Sequence, residues 1–261
     1  MSLQLTFLGT GTSVGVPQIG CTCPTCTSAD PRDRRRRSGL YVRSPQTAFV
    51  VDTPPEFRIA CLELGVTHVE ACILTHAHMD HIAGFDDLRR FNTLNGKKVL
   101  PCYASPETVE AMHHIFPYIG KKPKEKGLYR PMIDFRSVAR AFRIGDVKIV
   151  PLPVVHGNVP TNGYLFEHGG KRAAYICDCF EIPDATLAKL RGVDVMVLDC
   201  LRGTRPHSTH LTLGRALEYM KEIAPRRGYF THMCHDVKHE EFEAELPRRI
   251  RLAYDGLELK V

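Results

Sequence analysis

The chain has 261 residues, 43% of them apolar, and a formal net charge of +6; it is long enough to bury a substantial core, and no composition shift or linker divides it. No apolar stretch approaches the roughly 18 residues of a membrane-spanning helix, and Met1 to Thr6 runs straight into a strand pattern with no charged-then-apolar leader, so neither a spanning helix nor a secretory signal is expected, and a soluble cytoplasmic protein is. The charge is a mild bias towards anionic partners, concentrated in Arg34 to Arg37 and around Lys121, Lys122 and Lys124, where a solvated surface and phosphate recognition stand level.

Leu3 to Leu8 alternates as a strand and runs into a glycine-rich turn, Gly9 to Pro17. No Gly-Lys-Ser/Thr follows and no helix pattern opens there, so the turn is not a phosphate-cradling loop; its glycines let the backbone approach another loop closely. Cys21, Cys23 and Cys26 then fall within six residues of an irregular segment. Three thiolates so spaced can chelate one tetrahedral Zn²⁺ and leave one position for a ligand from elsewhere. A redox dithiol needs only two sulfurs, and core cysteines do not cluster in Thr/Pro-rich loops. Cys61, Cys72, Cys102 and Cys200 lie singly in apolar contexts as small hydrophobes, so the ten cysteines are expected to be reduced thiols. Arg32 to Arg37 reads as a charged surface segment. Gly39 to Val42 and Thr47 to Val51 read as a hairpin ending at Asp52, which N-caps a proline-led helix running to about Leu64.

Ala71 to Leu74 is a short buried strand that ends in Thr75-His76-Ala77-His78-Met79-Asp80-His81. Side chains two apart project to the same side, so His76 and His78 can close on one ion while Asp80 and His81 reach a second. A helix follows over Gly84 to Phe91, then a strand over Val99 to Tyr103 and a helix capped by Ser105 through about Phe116. Residues 119 to 131, rich in glycine, lysine and proline, form a loop that reads either as a lid or as ordinary surface. Val147 to Val155 is a strand ending at His156, and Tyr164 to Glu167 is another. Arg172 to Cys177 terminates in Asp178, and Asp194 to Leu198 in Asp199. His207 and His210 precede a helix over Leu213 to Ile223. Gly228 to Thr231 ends in His232, with Cys234, His235 and Asp236 following. Strands that repeatedly end in a ligand-type residue define one functional edge of a sheet.

The H-x-H-x-D-H pattern over His76 to His81 resembles the signature of the metallo-β-lactamase superfamily, a fold of dinuclear metallohydrolases, and His156, Asp178 and Thr231-His232 follow in the family's order. Phe7 to Thr12 is similar to the opening of its phosphodiesterase and transfer-RNA 3′-processing branches. The resemblance implies an α/β fold, a four-layer αββα sandwich spanning residues 1–261 as a single domain, with a zinc-binding loop at about 21–26. It implies that His76, His78 and His156 hold one divalent ion and that Asp80, His81 and His232 hold a second, with Asp178 bridging. An aspartate at the position of Asp52 braces the histidine loop in the family.

The cysteine loop together with His232-x-x-His235 narrows the resemblance to the PhnP-type cyclic phosphodiesterases, in which Cys21, Cys23, Cys26 and His235 would bind a structural Zn²⁺. That resemblance also sets His210 beside the scissile phosphate as a proton donor to the leaving oxygen, with His207 as its rival and capping of the next helix as the plain alternative. Histidine and carboxylate ligands suit Mn²⁺ and Zn²⁺ alike; the resemblance favours Mn²⁺ in the active site. A hydroxide shared by two such ions is the expected nucleophile. The implied function is hydrolysis of a small cyclic phosphodiester, of the ribosyl 1,2-cyclic phosphate or 2′,3′-cyclic nucleotide type, by a homodimer. Two alternatives are a transfer-RNA 3′-end endonuclease and a non-catalytic PqqB-like carrier. Against the first, this chain shows no inserted basic arm long enough to clamp RNA, which argues against a nucleic-acid partner; against the second, it retains the full ligand set, which a pure binder has no need to keep.

Overall fold

Strands that are apolar on both faces need cover on both sides, and this requirement builds the fold. The computed structural model describes residues 2–119 and 129–261. In Gln4–Gly9 (β1), Gly39–Arg43 (β2), Ala48–Val51 (β3) and Ala71–Ile73 (β4), successive side chains alternate between two cores. Leu5, Phe7, Leu40, Val42, Phe49, Val51 and Ile73 enter a central core, while Leu8, Tyr41, Val50 and Cys72 enter an outer one. Leu100–Ala104 (β5) and Ile133–Ser137 (β6) extend the same sheet. The later strands are Phe142–Ile144 (β7), Val147–Val154 (β8), Thr161–His168 (β9), Lys171–Ile176 (β10), Val195–Asp199 (β11), Arg227–Thr231 (β12), Ile250–Leu252 (β13) and Glu258–Lys260 (β14). Here Tyr175, Val195 and Val197 face the central core, and Ala174, Ile176, Met196 and Leu198 face outwards.

Two seven-stranded sheets result, in the orders β14-β1-β2-β3-β4-β5-β6 and β13-β12-β11-β10-β9-β8-β7. Phe57–Glu63 (α1), Met79–Ile82 (α2), Leu88–Leu94 (α3) and Pro106–Ile115 (α4) cover the outer face of the first sheet, contributing Phe57, Ile82, Leu88, Phe91 and Met112 to its core. Asp184–Leu190 (α5), Leu213–Ile223 (α6) and His239–Glu245 (α7) cover the second through Leu187, Leu190, Tyr219, Ile223 and Phe242. The layers run helix, sheet, sheet, helix, the αββα sandwich expected from the sequence. No helix among the described residues is long and apolar enough to cross a membrane. The lysine run at 121–124 and most of the 119–131 loop lie outside the described residues.

Three expectations are corrected. Asp52 is not a helix cap: the helix starts at Phe57, after Pro54 and Pro55, with Glu56 at its N-cap and no side-chain cap bond. The expected helix over Gly84 to Phe91 is a short 3₁₀ turn, Phe85–Asp87, followed by α3. The segment Arg32 to Arg37 is a solvated surface only in part: Arg34 is exposed, but Arg35 is buried. Val16 and Arg35 exchange backbone hydrogen bonds, and Gly11 N donates to Arg36 O, so the segment is an edge paired to the glycine-rich turn and alternate side chains point inwards. Arg35 is buried against Asp33, Arg36 pairs with Asp255 and Glu63, and Arg37 pairs with Glu56. The sequence reading did not include α5, α7 or the short strands β6, β7, β13 and β14.

Gly84 lets the residues after β3 touch the end of α2. Its N–H donates to Thr53 O at 2.9 Å, and a Cβ there would overlap the Pro54 carbonyl oxygen and stand 2.9 Å from Phe57 Cβ. Gly84→Ala should therefore destabilise the fold by about 1–3 kcal/mol, as overpacking of a tight contact does, read as a lower denaturant midpoint at unchanged slope.

Candidate metal centre

The parallel parts of both sheets end at one rim, and backbone register decides which side chains meet there. Val51 lies beside Ile73, so Asp52 and Thr75 leave their strands as neighbours. Across the seam, Ile176, Leu198 and Phe230 are in register and Asp199 is paired with Thr231, so Asp178, Asp199 and His232 emerge together. His232 has φ of +59° and Asp52 of +62°, two of the four described non-glycine residues in the left-handed region. Such backbone persists only where the surroundings hold it.

The histidines divide into two groups. His76 Nε2 and His156 Nε2 stand 2.8 and 3.4 Å from His78 Nδ1. His81 Nε2 and His232 Nε2 stand 3.4 and 3.8 Å from Asp80 Oδ2. Within each group all three donor atoms lie within 4.8 Å of one another. Asp178 stands between the groups: Oδ1 is 3.1 Å from His81 Nε2, and Oδ2 is 3.5, 3.7 and 3.9 Å from Nε2 of His232, His156 and His76. Nitrogen and oxygen ligands held about 2.0–2.2 Å from one ion stand about 3.4 Å apart, and the separations found, from 2.8 to 3.9 Å, bracket that value.

Polar bookkeeping supports the same reading. His81 Nε2, Asp178 Oδ1 and both ring nitrogens of His232 are buried without a hydrogen-bond partner among the described residues, a costly arrangement unless something else satisfies them. Burial pushes the His76 imidazole well below its ordinary value, so it is neutral, as a ligand must be. Burial works to raise the Asp178 carboxyl, but His232 and His81 outweigh it and hold the group well below the usual carboxylate range. Burial opposes charge on His81 too, yet Asp178 and Asp52 draw its imidazole well above the ordinary value. The protein's own charges thus call for positive charge where His81, Asp80 and Asp178 meet. The donor set suits divalent cations.

Buried groups outside these sets fix the ligands. Asp52 accepts from Thr75 N, Thr75 Oγ1 and His81 Nδ1, each at 2.8 Å, which turns His81 Nε2 inwards. His156 Nδ1 donates to Thr209 O at 2.9 Å. His210 Nδ1 lies 3.0 Å from Asp199 Oδ2, its ring stacks on His232 at 4.7 Å, and its Nε2 is 3.9 Å from Asp178 Oδ2. Burial lowers the His210 pKa. Neither His207 nor His210 caps α6, whose N-cap is Thr212 without a side-chain bond. His207 Nδ1 is engaged locally with Thr209 Oγ1 at 3.2 Å.

Asp199 was read only as a strand terminus. Its Oδ2 also takes the amides of Cys179 and Leu211 at 3.1 and 3.2 Å, so the carboxylate is fixed where it meets His210, while its Oδ1 stays 3.9 Å from His232 Nδ1, beyond hydrogen-bonding distance. The available signal was its position, one strand over from Asp178 at the same rim.

A separate cluster lies on the other side of His232. Cys21, Cys23 and Cys26 place Sγ 3.3, 3.5 and 3.6 Å from His235 Nδ1, a spacing suited to one tetrahedral ion with about 2.3 Å metal–sulfur bonds. The amides of Gln18 and Cys26 donate to Cys26 Sγ and Cys23 Sγ at 3.3 and 3.5 Å, and the Cys26 amide lowers the Cys23 thiol from its ordinary value.

Known proteins share this fold. The family model for the β-lactamase superfamily domain matches residues 45–233. The crystal structure of a new diphosphatase from the PhnP family superposes with a TM-score of 0.90 at 38% identity, covering 99% of this chain and 98% of that one. Zn²⁺-bound PqqB from Methylobacterium extorquens superposes with a TM-score of 0.76 at 19% identity, over 99% and 100% of the two chains, a likeness of fold. An octanoyltransferase of Porphyromonas gingivalis is 30% identical over 260 residues, 98% of this chain and 51% of its own length, so this chain spans about half of that protein.

The bracing role of Asp52 is open to measurement. Asp52→Ala leaves the Thr75 amide and His81 Nδ1 buried and unpaired, with the Thr75 hydroxyl keeping only His76 Nδ1, and should cost at least about 2 kcal/mol in urea unfolding. Asp52→Asn retains an acceptor and should cost clearly less; equal losses would show that the cavity, not the hydrogen bonds, sets the effect.

Proposed function

Because the chain belongs to the β-lactamase superfamily, we propose that it is a metal-dependent phosphodiesterase with a dinuclear centre, hydrolysing small cyclic phosphodiesters of the ribosyl 1,2-cyclic phosphate or 2′,3′-cyclic nucleotide type. The observation that carries this reading is Asp178, one carboxylate within 3.9 Å of imidazoles from two separate donor groups. His76, His78 and His156 hold one cation, Asp80, His81 and His232 hold the other, and Asp178 lies between them. Cys21, Cys23, Cys26 and His235 hold a structural Zn²⁺, with Mn²⁺ favoured at the histidine and carboxylate site.

When bound, two divalent ions supply Lewis acidity that activates water near neutral pH and offsets charge on the phosphoryl oxygens. The chain's own residues do the rest. Asp199 Oδ2 accepts a hydrogen bond from His210 Nδ1 and so turns Nε2 towards the cluster, where it can also carry a proton. An anionic phosphodiester in the site favours that protonated form. Nε2–H then faces the cluster and gives its proton to the leaving alkoxide. The buried walls at His76, His81 and His232 keep bulk water from screening these charges.

A diphosphate bond is the second reading, favoured by the 38% identical relative described as a diphosphatase. Cleavage there is again a displacement at phosphorus, with a far weaker base leaving, so it needs His210 less.

Elemental analysis of metal-replete protein should give about three ions per chain; a reproducible value near one would sink the dinuclear reading. The decisive experiment compares wild type with His210→Ala on a 2′,3′-cyclic nucleotide, a diphosphate ester and bis-nitrophenyl phosphate. Turnover of the cyclic nucleotide should fall by about 10²–10⁴ and turnover of the activated ester much less, with metal content unchanged. Equal losses assign His210 to binding, and loss of an ion makes it a ligand. Wild-type preference for the diphosphate ester selects the second reading, and no hydrolysis of any substrate leaves the PqqB-like carrier.

A further inference from the structure

His232 and His235 sit at the two ends of one turn, 232–235, and belong to different clusters. The turn's backbone is strapped from two sides: Met233 N donates to Thr10 O at 2.9 Å, Thr12 N to Met233 O at 3.3 Å, and Cys234 N to Leu201 O at 3.0 Å. From outside the turn, one side chain among the described residues bonds this backbone, and it is a buried charged one. Arg35 donates from Nη1 to Cys234 O and from Nη2 to Asp33 Oδ1, both at 3.1 Å, with its side chain fully buried. Cys234 O takes a second bond from Val237 N, and Asp33 Oδ1 a second from the His239 amide. A buried ion pair is weak evidence for stability, since hydrophobic residues of the same volume often serve as well. What apolar replacements cannot do is hold a carbonyl in place midway between two ligands, one of which has left-handed backbone.

We infer that Arg35 is a positioning residue for His232: through the Cys234 carbonyl it fixes the turn that aims His232 at Asp80, His81 and Asp178 while its other end meets the three thiolates. This rests on the metal reading above. It makes the arginine-rich segment 32–37 part of the site's support, although Arg35 touches neither donor group.

The double variant Asp33→Asn with Arg35→Met removes both charges together, so no carboxylate is left alone in the core, and the carboxamide oxygen introduced at position 33 can still accept from the His239 amide. Asp33→Asn alone keeps the Arg35–Cys234 bond. Metal-depleted proteins are titrated with Co²⁺, whose thiolate charge-transfer band separates the cysteine site from the histidine and carboxylate sites. The double variant should bind one of the histidine-site ions about tenfold or more weakly, the usual effect of losing a support behind a ligand, with the other ion unaffected and the single variant like wild type. In the metal-free state, amide exchange at Met233 and Cys234 should accelerate in the double variant while amides of β11 keep their rates. Unchanged turn amides overturn the inference, and so does uniform weakening of every ion with uniform acceleration of every amide, the mark of a merely structural role. If the double variant does not fold, Arg35→Lys, which keeps the charge and loses the two-pronged donor, is read in the same two ways. If wild type takes only one Co²⁺ at the histidine site, the dinuclear reading fails, and the amide comparison still decides the role of Arg35.

Discussion

A fully buried carboxylate has to meet positive charge or hydrogen-bond donors, and at Asp178 the fold offers neither in sufficient number. It offers His76, which burial keeps neutral, and a single imidazole, His81, that Asp178 and Asp52 draw well above its ordinary value, and it leaves Asp178 Oδ1, His81 Nε2 and His232 Nε2 without hydrogen-bond partners among the described residues. The constraint organises the rim around it. Asp52 turns His81 inwards, Thr209 turns His156, and Asp199 steadies His210, so the unsatisfied atoms point at one another rather than at solvent. A site of this kind is held together by its surroundings and waits for charge from outside. The two left-handed residues at the rim, Asp52 and His232, are where the backbone carries the strain of that aim.

Much of the grouping at the rim could be anticipated from the sequence because each candidate ligand stands at the end of a strand. His76, His78, Asp80 and His81 crowd a single strand exit, and His156, Asp178 and His232 each close a later strand in a pattern that a chance polar loop does not repeat. The cysteine cluster was legible for a similar reason: three thiols in a Thr/Pro-rich loop have few other uses. The αββα layering followed from the resemblance of the histidine pattern and of the later ligand-type residues to the family.

What stayed hidden depends on pairing across the chain. Arg35 sits among four consecutive arginines, a run that ordinarily means solvent; only its backbone exchange with Val16 turns the side chain inwards. Asp199 differs from Asp178 in nothing local, and its role appears once β11 lies between β10 and β12. Asp52 followed by two prolines carries the chemistry of a helix cap, yet parallel pairing of β3 with β4 brings Thr75 and His81 to its oxygens first. The short strands β7, β13 and β14 have no more than three residues each, too few to show a period of two.

Both donor groups draw on both sheets. His76 and His78 follow β4 while His156 follows β8; Asp80 and His81 begin α2 while His232 follows β12. Any ion held by either group is therefore a rivet through the seam between the halves of the sandwich. The halves cannot part without breaking coordination bonds, whereas a folding chain need not form those bonds until the halves have already met. Occupancy would then act mainly on the rate of unfolding and little on the rate of folding. The loaded protein would persist as a long-lived trapped state, and its lifetime in the presence of a chelator would be set by escape of the ions rather than by the strength of the apolar cores.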